Sequence, residues 1–230
     1  MADFPNVVAL LPMKANSERV KGKNFRELAG KPLYRWILET LLSIAEVSKI
    51  VINTDADEFL RQQGVAEDQR VIIRPRKSEL CGDLVSMNLI LADDLAAVPA
   101  DLYLMTHTTN PLLSAATIRS ALWLFYDHRE ADSLFSVNRI QSRFYRQDGS
   151  PVNHDPNNLL RTQDLEPWFE ENSCLYLFSR DSFAATGARI GRQPLMYETP
   201  PLESVDIDEP EDWQMAEALA LYMSGVPALH

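Results

Sequence analysis

The sequence predicts an α/β fold, a mainly parallel sheet covered by helices on both faces. Short apolar, β-branched runs alternate with segments whose apolar residues recur at helical spacing, and strands separated by helices of that length pair in parallel. The chain has 230 residues, enough for a sizeable core, so residues 1–230 are expected to form one domain. Its two cysteines, Cys81 and Cys174, form no Cys-x-x-Cys pair, which excludes a zinc ribbon or a thioredoxin motif and leaves a disulfide between them open.

The elements follow in order. Val7–Pro12 reads as a buried strand. Pro32 suits the opening of a helix, and Leu33, Ile37, Leu41, Ile44 and Ala45 carry its apolar face towards Val47. Lys49–Asn53 is a β-branched strand, stopped by Thr54-Asp55-Ala56-Asp57, where Asp or Thr suits the cap of the next helix. Val71–Ile73 reads as a strand, Leu84–Val98 as a helix, Leu102–Met105 as a strand, Ser114–Tyr126 as a helix and Ser133–Val137 as a strand. From about 138 to 171 the periodicity weakens around Gly149, Pro151, Pro156 and Pro167. A structureless loop of that length is unusual inside a compact domain, so an extended arm is expected, packed on something such as a second subunit. Cys174–Phe178 resumes the strands, and Pro210–Met223 closes the pattern as an amphipathic helix.

The formal charge of −11 argues against broad binding to nucleic acid or anionic lipid, which needs an extended positive surface. No stretch approaches the roughly eighteen apolar residues of a membrane span. The start, Met1-Ala2-Asp3-Phe4-Pro5, lacks the basic-then-apolar form of a signal peptide, so a soluble, cytoplasmic protein is expected. Within this acidic chain, Lys14, Arg19, Lys21, Lys23, Arg26 and Lys31 face only Glu18 and Glu27, a local charge of about +4. The loop leaves the C-terminal end of the first strand, where open α/β sheets bind ligands. Its small polar residues offer backbone N–H groups and its cations neutralise charge, which suits one polyphosphate. A merely solvated basic loop is the competing reading. Neither Gly-x-x-x-x-Gly-Lys-Ser/Thr nor Gly-x-Gly-x-x-Gly occurs, which argues against a P-loop ATPase or a dinucleotide enzyme.

Near the other end, Asp206 and Asp208 alternate with Val205 and Ile207. In extended backbone the two carboxylates share a face, about 7 Å apart along the chain. Such a pair suits Mg²⁺, which takes one or two carboxylates plus water and substrate phosphates. Helix capping by Asp208 is the alternative, and it leaves Asp206 without a role. The four histidines, at 107, 128, 154 and 230, show no metal-ligand spacing, and no Gly-x-Ser-x-Gly elbow occurs.

Several segments are similar, in order, to those of one family. They are Met13-Lys14-Ala15-Asn16-Ser17-Glu18-Arg19 through Lys23-Asn24, Gly30-Lys31-Pro32-Leu33, Ile50–Asp55, Arg74-Pro75 with Glu79–Asp83 and Ser86, Glu171–Tyr176, and Asp206-Ile207-Asp208 with Pro210-Glu211-Asp212. Together they resemble the acylneuraminate cytidylyltransferases, the CMP-sialic acid synthetases, and more distantly the CMP-Kdo synthetases. The resemblance spans nearly the whole chain. It implies a Rossmann-like, three-layer nucleotidyltransferase fold with a mainly parallel sheet and a protruding dimerisation arm. It also implies an enzyme that joins CTP to a 2-keto sugar acid related to sialic acid and releases pyrophosphate.

By that resemblance Lys14, Asn16, Ser17, Arg19 and Lys23 hold the triphosphate, and Asn24, Arg74, Asp83 and Ser86 help build the nucleotide pocket. Asp206 and Asp208 hold Mg²⁺, and Lys14, Lys23 and Asp208 act in catalysis. His107, Thr109, Asn110, Arg161, Gln163 and Asn172 meet the sugar, Arg161 and Gln163 from an arm that reaches a neighbouring subunit of a homodimer. The departures are Lys14 where the family has Arg, Glu18 where it has Lys, His107 for Gln and Leu113 for Arg. A different base or sugar, or a nucleotide-binding regulator impaired in turnover, are the alternative readings.

Overall fold

The computed structural model describes residues 5–15, 20–82 and 84–225. Its seven-stranded sheet has β1 (Val7–Leu10), β4 (Val47–Thr54), β5 (Val71–Pro75), β6 (Leu102–Thr106), β7 (Ser133–Ile140), β8 (Trp168–Ser179) and β9 (Pro194–Glu198), in the order β5-β4-β1-β6-β8-β7-β9. A separate two-residue ladder joins β2 (Glu27–Leu28) to β3 (Lys31–Pro32). The helices are α1 (Leu33–Leu42), α2 (Asp57–Gln62), α3 (Met87–Ala97), α4 (Ala115–Asp127), α5 (Arg180–Thr186) and α6 (Pro210–Met223).

Alternation along the strands divides the core. Val7, Ala9, Ile50, Ile52, Leu102 and Leu104 pack with Ile37 and Leu41 of α1 and with Ile118 and Leu122 of α4. Their neighbours Val8, Leu10, Val51, Tyr103 and Met105 face the other way, against Leu91 and Leu95 of α3 and Phe183 of α5. This is what a sheet buried on both faces requires of its sequence. Three serines set helix starts by accepting a backbone N–H: Ser86 for α3, Ser114 for α4 and Ser179 for α5. The helix expected from Leu84 therefore begins after Ser86, and the one expected to run towards Val47 ends at Leu42. There Ser43 closes the last turn and β4 begins soon after.

The departure from a purely parallel sheet is β8, which pairs antiparallel with both β6 and β7. It follows β7 without a crossover helix, so the two form a long hairpin. Its tips pair as far as Ile140 with Trp168, and residues 141–167 connect them. That connection holds one isolated bridge, Tyr145 to Pro151, and a short 3₁₀ turn at Thr162–Asp164. The edge strand β9 opens on Pro194, a residue that edge strands tolerate.

Within β8, Ser173 has φ 57°, in the left-handed region. The β7–β8 register shifts between Phe135 and Val137, and the Ser136 hydroxyl takes up the Leu175 N–H at 2.9 Å. A non-glycine residue in this conformation costs on the order of 1–2 kcal/mol. The Ser173 hydroxyl makes a hydrogen-bond contact with the Tyr176 hydroxyl at 3.0 Å, which offsets part of that cost. Ser173→Gly is therefore expected to raise stability by about 0.5–1 kcal/mol. Urea unfolding monitored by tryptophan fluorescence checks it, and a lower midpoint would show that the hydroxyl contact outweighs the strain.

Both cysteines are free, Cys81 exposed and Cys174 buried, so no disulfide joins them. No helix among the described residues is long and apolar enough to cross a membrane.

Candidate active site at the C-terminal edge of the sheet

The chain leaving β1 is held by three side chains, Arg76, Asp55 and Asn24, and by the Asn53 carbonyl. Met13 N–H donates to the Asn53 carbonyl at 3.1 Å, and Arg76 Nη2 donates to the Met13 carbonyl at 3.1 Å. Ala15 N–H donates to Asp55 at 2.6 Å, and Asn24 Nδ2 to the Lys14 carbonyl at 2.8 Å. Asn24 Oδ1 in turn accepts from the Thr108 hydroxyl at 2.6 Å. Lys14 is thus placed by its backbone, and the Asn24 amide is engaged within the protein. Asn16, Ser17 and Arg19 lie outside the described residues, as does Asp83.

The basic segment does not act as one patch. Arg26 lies 4.4 Å over the Trp213 ring, and Lys31 stacks 4.2 Å from the Trp36 ring while pairing with Glu39. Lys23 turns the other way and is buried. Its Nζ donates to the Ile207 carbonyl at 2.7 Å and meets Asp208 Oδ1 at 3.2 Å. A small apolar cluster brings these distant residues together: Ile207 packs with Val20, Leu28, Leu33, Trp213 and Ala216. Since Ile207 is buried between Asp206 and Asp208, it anchors the strap on which both carboxylates ride.

Asp208 does not cap α6. Glu209 is the N-cap, in a capping box with Asp212, whose Oδ2 also accepts the Asp208 N–H at 3.0 Å. The capping alternative is therefore removed for Asp208. Burial pushes the Asp206 carboxyl above its ordinary pKa, with the Thr109 side chain pulling the other way and Asp208 adding to the rise. Asp206 Oδ1 is buried with no hydrogen-bond partner. An orphaned carboxylate oxygen beside a second carboxylate fits a hard divalent cation such as Mg²⁺. The described residues offer no group of three or more His, Cys, Asp or Glu for a metal, so water and substrate oxygens would complete the shell.

The turn after β6 braces the strap. Ile207 N–H donates to the Thr109 carbonyl at 2.9 Å, and Asn110 Nδ2 donates to the Val205 carbonyl at 3.3 Å. Asn110 Oδ1 is buried and unpartnered. His107 is half-buried, within the electrostatic reach of Arg189, Lys23 and Asp208. Burial, with Arg189 and Lys23, lowers its pKa to about 4, so the imidazole is neutral at physiological pH.

Most of the remaining expected residues have partners within the protein. Arg74 gives its guanidinium to Asp93 at 2.8 Å and to the wholly buried Asp94, both on α3. The cation that reaches the loop is Arg76, which also donates to the Asn53 carbonyl at 2.7 Å and to Asn53 Oδ1 at 2.9 Å. Ser86 is the cap of α3. Asn172 is buried and engaged with Asn138, Thr199 and the Cys174 N–H, so its amide ties β7, β8 and the chain after β9 together. Arg161 and Gln163 are exposed in the β7–β8 connection, where Arg161 makes a two-pronged pair with Asp164 at 2.7 and 3.0 Å. Arg189 was not singled out in the sequence. It carries no motif, and only the antiparallel placement of β8 sets Glu171 and Tyr176 beside it.

Lys23, Arg76 and the Asp206–Asp208 pair lie at the C-terminal edge of an open, mainly parallel sheet, the place where α/β proteins of this class bind their ligands. The chain belongs to the cytidylyltransferase family, whose model matches residues 8–226. It is 28% identical over 225 residues to an N-acylneuraminate cytidylyltransferase of Oncorhynchus mykiss, covering 94% of this chain and 50% of that protein. It is 29% identical over 237 residues to a CMP-N,N'-diacetyllegionaminic acid synthase of Legionella pneumophila, covering 93% of this chain and 95% of that protein. The chain thus spans about half the length of the first relative and nearly all of the second. Among solved structures, a CMP:2-keto-3-deoxy-manno-octonic acid synthetase complexed with CTP superposes with a TM-score of 0.68 at 17% identity, covering 95% of this chain and 99% of that one, which shows the fold.

Proposed function

We propose that this protein joins CTP to a 2-keto sugar acid of the sialic-acid class, giving a CMP-sugar and pyrophosphate. The observation that carries the reading is Lys23 paired with Asp208 beside the unpartnered Oδ1 of Asp206, at the sheet edge where the β1 loop ends. Lys14 and Lys23 would neutralise triphosphate charge, with Asn16, Ser17 and Arg19 around the phosphates and Asn24, Arg74, Asp83 and Ser86 in the nucleotide pocket. Asp206 and Asp208 would hold Mg²⁺, which when bound supplies charge neutralisation and acidifies a nearby hydroxyl. Lys23 fixes the strap through the Ile207 carbonyl, so the carboxylates keep their positions as charge moves at the α-phosphorus. His107 offers the sugar a neutral imidazole, and Thr109, Asn110 and Asn172 brace the surrounding chain.

The arm at about 138–171 would pair two copies and carry Arg161 and Gln163 towards the partner's site. Exposed Leu159, Leu160, Trp168 and Phe169 on that arm support this. In this reading residues 1–230 form one catalytic domain working in the cytoplasm. Incubation with CTP, MgCl₂ and a panel of nonulosonic acids is expected to release pyrophosphate, with UTP, ATP and GTP inactive. Intact CTP binding without release on any acid would overturn the sugar assignment. Failure to bind CTP would sink the whole reading.

A further inference from the structure

Arg189 lies at the same edge, and the proposed reaction does not use it. A guanidinium carries five N–H donors. Here Nη2 reaches the Tyr176 hydroxyl at 3.0 Å, while Glu171 Oε1 stands 3.5 Å away, beyond an ordinary N–H···O bond. Nη1 meets the Met105 thioether at 3.9 Å, a weak acceptor. The group is short of oxygen partners among the described residues, yet it is held firmly. Its Cζ lies 4.0 Å over the Tyr176 ring, and the Tyr176 hydroxyl donates to Glu171 and meets the Ser173 hydroxyl at 3.0 Å. The Arg189 side chain is only 22% exposed.

Arg189 and Glu171 line a cleft of about 240 Å³ together with Asn88, Ile190 and Ser86, so in the proposed reading the cleft borders the nucleotide pocket to which Ser86 is assigned. Met105, whose thioether Arg189 reaches, lies near the end of β6 two residues before His107, so this wall adjoins the turn that carries His107, Thr109 and Asn110 and braces the Asp206–Asp208 strap. A ligand with its reacting hydroxyl near Asp208 would therefore extend past His107 towards Arg189. Because the guanidinium is already oriented, little rotamer freedom is lost when an oxygen acceptor arrives. A site built to hydrogen-bond one group discriminates strongly against an analogue that lacks it.

We propose that Arg189 and Glu171 form a specificity subsite that selects the acceptor by an oxygen-bearing substituent, an amide carbonyl or a carboxylate, remote from the reacting hydroxyl. This rests on the reading of the chain as a CTP:sugar-acid cytidylyltransferase. Arg189→Met keeps an unbranched side chain over Tyr176 and removes the donors, and Arg189→Lys restores the charge without the fork.

Three acids serve as probes: N-acetylneuraminic acid, its analogue with hydroxyl in place of the acetamido group, and a derivative whose amide ends in a carboxylate. Arg189→Met is expected to raise KM for one or both amide-bearing acids about tenfold or more while the hydroxyl analogue and CTP change by less than about twofold. Arg189→Lys is expected to recover part of the loss. The larger loss, on the plain amide or on the carboxylated one, identifies the substituent. Equal losses on all three acids, or a change confined to KM for CTP, would overturn the proposal. If the wild type turns over none of the acids, calorimetric binding of the same three to wild type and Arg189→Met decides the subsite independently. Unchanged affinities would then refute it.

Discussion

Asp208→Ala is expected to lower kcat/KM by about a thousandfold or more while leaving the protein folded, because it removes one of the two carboxylates that would hold Mg²⁺ against the triphosphate. The structure separates these two outcomes. The capping box of α6 belongs to Glu209 and Asp212, so the helix start survives the substitution. Lys23 keeps the Ile207 carbonyl at 2.7 Å, so the strap keeps its anchor. The Asp208 side chain is 42% exposed, and a partly solvated ion pair of this kind contributes about 0–1 kcal/mol. Pyrophosphate release over a MgCl₂ titration, with a thermal melt of the same sample, is the measurement. Full turnover would remove the metal assignment.

Asp206→Asn sharpens the same expectation through its opposite effect on stability. Burial raises the Asp206 pKa in the folded state above its unfolded value, so the folded protein holds this proton more tightly. The group supports folding below about pH 3.9, and its ionisation becomes a penalty as pH rises through the folded-state pKa. In metal-free buffer at neutral pH, Asp206→Asn is therefore expected to be more stable than wild type, with the gain vanishing in acid, although its activity is lost. A variant both less stable and inactive would mean that the carboxylate holds the strap instead of awaiting a cation.

The parallel half of the fold was legible because local signals agree there. Each buried run, such as Ile50–Ile52 or Leu102–Met105, is bounded by a turn or cap and followed by residues at helical spacing. The strands around β8 were harder to read. Direction and neighbours are set by the missing crossover after β7, and β9 shows only a weak alternation behind Pro194. The candidate site divides in the same way. Asp206 and Asp208 can be paired from spacing alone, but that Lys23 meets Asp208 depends on Ile207 packing against Val20 and Trp213. Charge counting treated Arg26 and Lys31 as part of the anion site, whereas each lies on a tryptophan ring. Arg76 and Arg189 were invisible for the converse reason, since their roles come from carbonyls and rings that adjacent strands supply.

Lys23→Met is expected to reduce both activity and stability, which distinguishes it from Asp208→Ala. The Lys23 ammonium is buried against two acceptors, the Ile207 carbonyl and Asp208 Oδ1. Without it that carbonyl loses its charged donor, a change that costs about 1–3 kcal/mol. A strap free to shift carries both carboxylates with it, and misplacement by about an ångström near a reacting centre costs on the order of a hundredfold in rate. The loss of charge neutralisation adds to this, so kcat/KM is expected to fall by about a thousandfold. Lys23→Arg tests the division, because it keeps the charge but forces a larger head group into a site shaped for an ammonium. If Lys23→Met lost stability in urea unfolding yet kept its turnover, Lys23 would be an anchor of the strap and nothing more. If it kept stability and lost turnover, the ammonium would be acting on the phosphates instead of through Ile207.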